Sequence, residues 1–400
     1  MADSIENKDL AYVCHYLKSL VIPKMSDNFV VAESFRYGFT DDEIRKGITA
    51  FREFLYALFD RLANGKDKID LTTGSNYNPK YEVGYGDKYR IKACFPSIWD
   101  LTMILCSMGI RGEVKKSPEI KLTVNCTDLL TVICPITEKD VSLIKMNDER
   151  KLEMFHLLSD LGLRFHGADF SEEVGFSKIE KFDVTSESND YFPLGLKLIS
   201  EATAHHKHHY KLENMFYPVF LRCSYYPLEN DKPRKHVVKV KDFVNSRPSE
   251  IKKWIIDIDT FLTKNGCTVS HNIGGCDIEF TYNRKKVKSR KGMVCKIYMD
   301  IWGSYIYPGI NHLEKPDSII NDLPNEMIAI LVAKSERECG WCKHSRENPD
   351  LIQCRPGCPF KFTYNGIEYV KCRYVEFKLP IEDASTRQLT QKWIEKELAI

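Results

Sequence analysis

The chain has 400 residues, 43% hydrophobic and 28% charged, which is too long for one ordinary core and too apolar for a disordered segment. Lys and Arg total 58 against 56 Asp and Glu, so a chain-wide basic field for nucleic acid or anionic membrane is excluded and any such surface must be local. No run approaches the ~18 consecutive apolar residues of a membrane span. The polar, acidic start Met-Ala-Asp-Ser-Ile-Glu-Asn-Lys-Asp lacks a secretory pattern, so the expected location is cytoplasmic, with no membrane partner.

A short helix is predicted near Leu10 to Leu20, ended by Pro23. A second runs from Asp41 to Ala63, with Thr40 and Glu43 placed as a capping box and an apolar stripe of Ile44, Ile48, Phe51, Leu55, Leu58, Phe59 and Leu62. Residues 81 to 95 read as a hairpin around Gly86-Asp87. Ser97 to Met108 reads as a buried helix. Asp148 to Leu161 reads as a helix with Leu152, Phe155, His156 and Leu158 inward and Gly162 at its end. Pro193 to His209 is helical. The first half therefore lacks the regular strand–helix alternation of a doubly wound sheet.

Pro227, Pro233 and Pro248 surround the charged run Glu-Asn-Asp-Lys-Pro-Arg-Lys-His, which marks a linker over 227–248 containing a short strand at Val237 to Val244. Domains are expected at 1–226 and 249–400. The second opens with a helix carrying Ile251, Trp254, Ile255, Ile258, Phe261 and Leu262. Strands follow at Asp277 to Tyr282, Met293 to Trp302 and Ser304 to Tyr307, then a helix near Asn325 to Lys334. Residues 360 to 372 form a hairpin around Asn365-Gly366. A last helix begins at Ser385, with Gln388 in capping-box position and Leu389, Trp393 and Leu398 docked. The expected fold class is α+β: two domains, each with helices on a mainly antiparallel sheet, plus a C-terminal Cys-rich, zinc-stapled module over 335–375.

The strongest chemical signal is five of the fourteen cysteines gathered at the end of the chain. Cys339 and Cys342 stand as C-G-W-C; after eleven intervening residues Cys354 and Cys358 stand as C-R-P-G-C. Two residues between thiolates let both reach one ion from a single turn, and a second pair closes a tetrahedron. Cys372 is a fifth candidate and His344 a further one. The expected cofactor is a structural zinc; an iron–sulfur cluster is the alternative, since Cys358-Pro359 echoes a ferredoxin ending. The module and its Asn-Gly hairpin resemble a small zinc-ribbon-like unit in general terms. Cysteines in apolar settings, such as Cys106 and Cys134, read as core.

Between two predicted strands lies Arg284, Lys285, Lys286, Val287, Lys288, Ser289, Arg290 and Lys291, six charges in eight residues. Such a tip can contact phosphates, with Tyr282 and Tyr298 adding stacking, or can be a solvated turn whose lysines blunt a strand edge. His205 and His209 would share a helix face with Glu201 if the helix continued, a candidate metal or pH-sensitive patch. No phosphate loop, G-x-S-x-G or H-E-x-x-H is present. The expectation is a binding or regulatory protein, with nucleic acid or another protein as partner. The alternative is an enzyme acting on a small polar substrate between the domains.

Overall fold

The computed structural model describes residues 10–22, 25, 28–64, 95–126, 148–170, 179–205, 219–232, 239–273, 277–285, 292–300, 303–315, 318–333, 359–372 and 377–400. The expected hairpin over 81–95 lies outside the described residues except for Phe95, and Cys134 also lies outside them. The fold is mixed helix and antiparallel sheet, in two units taken in turn, 1–242 and 243–400.

In the first unit, α1 (Leu10–Leu20), α2 (Asp41–Ala63), α3 (Phe95–Arg111), α4 (Asp148–Asp160) and α5 (Phe192–Ala204) accompany a four-stranded sheet. Its strands β1 (Glu113–Lys115), β2 (Lys121–Asn125), β3 (Leu163–His166) and β4 (Lys181–Ser186) lie in the order β1-β2-β4-β3, antiparallel throughout. The Thr40–Glu43 capping box forms as read: the Thr40 hydroxyl accepts from the Glu43 amide, and the Glu43 carboxylate accepts from the Thr40 amide at 2.8 Å. That second bond, with Lys116 adding its own, holds the Glu43 carboxyl down at about 2.

Helix α5 is the hub. Every residue from Phe192 to Thr203 except Glu201 is buried, the pattern of a helix with neighbours on all sides. Two glycines make this possible. A Cβ on Gly195 would sit 1.9 Å from the Gly47 carbonyl oxygen of α2, and one on Gly109 of α3 would sit 2.0 Å from the Ser200 hydroxyl. Phe51 of α2 then stacks near Phe192 and edges onto Phe220. On the sheet, Leu122 faces Val184 and Val124 faces Phe182, and Phe155 of α4 closes over Phe165, Phe170 and Phe182.

Some expectations shift. His156 is exposed, and Met154 and Leu157 are buried in its stead. Of the expected strand at Val237 to Val244, Val237 and Val238 lie outside the described residues, and the remainder holds a helical turn at Val240–Phe243 running into a 3₁₀ turn. Its valines fit either period, but Val240, Phe243 and Val244 are buried together at i, i+3 and i+4. Helix α5 ends at Ala204, with His205 as its C-cap.

The second unit holds α6 (Ser249–Lys264) and five strands, β5 (Cys267–Ile273), β6 (Asp277–Arg284), β7 (Met293–Asp300), β8 (Ser304–Pro308) and, later in the chain, β11 (Leu379–Pro380). Their order, β11-β8-β7-β6-β5, is a meander closed by a late strand. A separate hairpin joins β9 (Pro359–Tyr364) to β10 (Ile367–Cys372); α7 (Asn325–Ala333) and α8 (Ala384–Leu398) complete the unit. Asn365 and Gly366 both take positive φ, 49° and 76°, as a tight two-residue turn requires. Strand β5 goes unnoticed in the sequence because Cys-Thr-Val-Ser-His-Asn-Ile is only weakly apolar. Helix α8 is capped by Asp383, whose carboxylate accepts from the Thr386 amide, one turn-start earlier than Ser385.

Alternation sorts the sheet into two faces. Ile278, Phe280, Tyr282, Cys295, Ile297, Met299 and Ile306 are buried on one, where α6 brings Ile251, Ile255, Ile258 and Leu262. The Tyr282 hydroxyl donates to Asp259 of α6 at 2.7 Å, satisfying the one polar atom of that ring.

Replacing Gly195 by Ala should destabilise the chain by at least about 3 kcal/mol, the upper end of overpacking costs, because the obstruction is backbone rather than a movable side chain. Chemical denaturation of Gly195→Ala beside an exposed control such as Ser34→Ala checks it.

Candidate functional site

Strands β6 and β7 pair antiparallel from Asp277↔Asp300 to Asn283↔Met293, so the basic run falls in the connection between them. From Lys285 to Gly292 that connection carries five basic residues and no carboxylate. Lys285 is exposed; Lys286, Lys288, Arg290 and Lys291 lie outside the described residues. The register shifts at Tyr282/Asn283, leaving Val294 without an opposite residue. Such a bulge sharpens the local twist beneath the tip.

Arg284, the first of the run, points the other way. Its guanidinium donates to the Glu397 main-chain carbonyl and lies 3.3 Å from Glu397 Oε2. Glu397 is fully buried. A lone buried carboxylate would be costly, so its oxygens must be met by donors. Oε1 accepts from the His312 amide at 2.7 Å and from His312 Nδ1 at 2.8 Å. Oε2 accepts from Asn311 Nδ2 at 3.0 Å as well as from Arg284. The cradle has no spare room: a Cβ on Gly309 would lie 2.8 Å from Glu397 Oε2 and 2.5 Å from the Met293 carbonyl. Trp393, one turn before Glu397, donates its indole N–H to the Gly309 carbonyl and edges onto the His312 ring.

This network roots the hairpin. His312 Nε2 is buried with no hydrogen-bond partner among the described residues. The neighbouring thiols are poor nucleophiles, since burial pushes Cys295 well above its ordinary value and raises Cys267 also. The sequence reading missed Glu397. The available signal was its place on the stripe: it stands at i+4 from Trp393 and i+3 from Ile394, both buried.

The opposite face of the sheet is polar and aromatic. The two tyrosines expected to stack from the flanking strands lie on different faces: Tyr282 is fully buried, while Tyr298 sits opposite Glu279 and donates its hydroxyl to Asp277 at 2.7 Å. Tyr298 gathers with Tyr305 and Tyr307. Lys378 lies 3.5 Å from the Tyr305 ring centre, and Lys296 pairs with Glu279 at 3.0 Å over Tyr307. Asp277, Glu279 and Asp300 stand among two lysines on this face, so its charges are balanced locally.

Cys339, Cys342, Cys354 and Cys358 lie outside the described residues. Cys372 ends β10, its backbone paired with Pro359, the residue after Cys358. Among the described residues no group of three or more His, Cys, Asp or Glu is placed to hold a metal ion. The His205–Glu201 pairing does not form: Glu201 accepts from Lys197 at 2.7 Å, and His205 Nε2 lies 2.9 Å from the Asn230 carbonyl. His209 lies outside the described residues. A cavity of about 500 Å³ opens beside α2, lined by Arg45, Lys46, Thr49, Asn189 and Tyr191 among others. Lys46 is paired with Asp42 at 2.7 Å and Arg45 donates to the Phe29 carbonyl, so both of these cations are engaged.

No family model, curated protein or solved structure matches the chain.

Arg284 and Lys285 should behave oppositely although adjacent. Arg284→Ala strips a buried carboxylate of its cation and should cost about 3–5 kcal/mol. Lys285→Ala should stay within about 0.5 kcal/mol of the parent, as surface substitutions do. Urea unfolding midpoints of the two variants make the comparison.

Proposed function

We propose that the chain is a binding or regulatory protein that contacts nucleic acid through the connection between β6 and β7 and carries a structural zinc on its C-terminal cysteines. The observation that carries the first part is the hairpin itself. An antiparallel pair anchored through Arg284 and Glu397 presents Lys285, Lys286, Lys288, Arg290 and Lys291 in one carboxylate-free connection. A near-neutral chain has little long-range attraction of its own, so a concentrated local charge is the form in which phosphate contact is available to it. Arg284 takes no part, because its charge is committed to Glu397.

The metal reading rests on spacing and on one backbone pairing. Cys339 and Cys342 form one pair and Cys354 and Cys358 a second, and the β9–β10 register pairs the backbone of Cys372 with Pro359, the residue that follows Cys358 in sequence. A closed thiolate tetrahedron would staple a segment poor in apolar residues and leave no open position for catalysis. The buried thiols Cys126, Cys223, Cys267 and Cys295 suit the reducing, cytoplasmic setting in which such ligands stay reduced. Domains at 1–226 and 249–400 around a 227–248 linker complete the proposal.

Binding to a single-stranded or duplex oligonucleotide should weaken steeply with added salt, because each neutralised phosphate releases counterions. Reversing Lys285, Lys286 and Lys288 to Glu should abolish binding while leaving the thermal midpoint unchanged. Undetectable binding at low salt, or binding indifferent to the triple reversal, would sink the reading.

Purified protein should carry about one zinc per chain by elemental analysis, as a single tetrahedral site of this kind holds one ion. Cys342→Ser should lose it. Full retention of zinc by that variant would reject this ligand set, and a broad visible absorption would replace zinc by iron–sulfur.

A further inference from the structure

Each sheet must deal with its edges, because an open strand presents a row of unpaired backbone donors and acceptors to any other chain. Three of the four edges in the two larger sheets are blunted. Strand β1 is three residues long and carries Glu113 and Lys115; β3 carries Arg164 and His166; β11 is two residues long, ends in Pro380 and follows Lys378. Each device discourages pairing.

The fourth edge is different. Strand β5 runs seven residues in unbroken register with β6, from Cys267↔Arg284 to Ile273↔Ile278. It has no proline, no bulge, no lysine and no carboxylate. No strand lies beyond it among the described residues. It is also open to solvent: Thr268, Ser270 and Asn272 are exposed, and Val269 is exposed to 43%, an apolar side chain left uncovered at the sheet margin.

We infer that β5 is the interface with a second copy of this chain, pairing antiparallel with its own counterpart about a two-fold axis at Ser270, so that two five-stranded sheets become one. The sequence of the strand suits an isologous contact. About that axis Ser270 meets Ser270, Val269 meets His271, Thr268 meets Asn272 and Cys267 meets Ile273. No pair sets like charges opposite one another. The flanks complement as well. Exposed Lys264 and Lys285 lie beyond the Cys267 end, while Glu279, itself paired with Lys296, stands opposite Asn272 and Asp277 lies near the Ile273 end. Antiparallel pairing brings the basic end of one copy alongside the acidic end of the other, twice. Val269 is covered in the same step.

The test is oligomeric state with a charge swap at the axis. Analytical ultracentrifugation of the whole chain across a wide concentration range should show a monomer giving way to a dimer. Ser270→Lys and Ser270→Glu each place like charges face to face and should each remain monomeric at every concentration, with unchanged circular dichroism and thermal midpoint. Mixed in equal amounts, the two variants should recover the dimer, because Lys then meets Glu. A parent chain that stays monomeric throughout overturns the inference, and so does a dimer that persists in both single variants. Dimer lost in the single variants and not recovered in the mixture overturns the two-fold pairing at this strand.

Discussion

The buried carboxylate of Glu397 is the constraint on which the second unit turns. It lies on the last turn of α8, far along the chain from everything it holds. Its two oxygens take donors from the 311–312 turn and from the end of β6, and Trp393 ties the same helix to Gly309. Each donor is needed because the Glu397 carboxylate is fully buried. A buried charge is stable only when paired and hydrogen-bonded, so the helix end, the turn and the strand end must arrive together. That requirement also explains why Arg284 leaves the basic run: the strand's last residue serves the interior, while Lys285 next to it is exposed.

The first unit depends on a different constraint, close approach. Helix α5 is enclosed by α2 and α3 because Gly47, Gly195 and Gly109 have no side chains to hold the backbones apart. The benefit is dense contact around Phe51, Phe54 and Phe192; the cost is intolerance of even one methyl at the crossing. Packing here is set by absence of atoms rather than by complementary shapes of large ones.

Charge placement decides the functional reading. On the polar sheet face Lys296 and Lys378 each have a carboxylate and a tyrosine ring against them, so the aromatic cluster there contributes cross-strand support. At the tip between β6 and β7 the cations have no carboxylate among them in sequence. A nearly neutral protein can hold both arrangements because balance is struck locally. The contrast between β5 and the blunted edges follows the same logic: charge is used where pairing is to be prevented and withheld where it is not.

Periodicity and turn chemistry were enough to place much of the framework. The capping box of α2, the limits of α4 and α6, the Asn365-Gly366 hairpin and the β6–β7 pair carrying the basic run follow from local rules, because each is decided by residues within one or two turns of one another. What the sequence alone left open depends on which face meets which partner. That Tyr282 is buried and Tyr298 is not, that Arg284 turns inward, that His156 faces solvent and that Val240–Phe243 is helical were all decided by burial against distant elements. Glu397 and β5 were missed for one reason seen from two sides. A carboxylate ordinarily marks solvent, and a weakly apolar strand ordinarily marks nothing; donors more than eighty residues away in the chain reverse the first reading, and hydrogen bonds to β6 override the second.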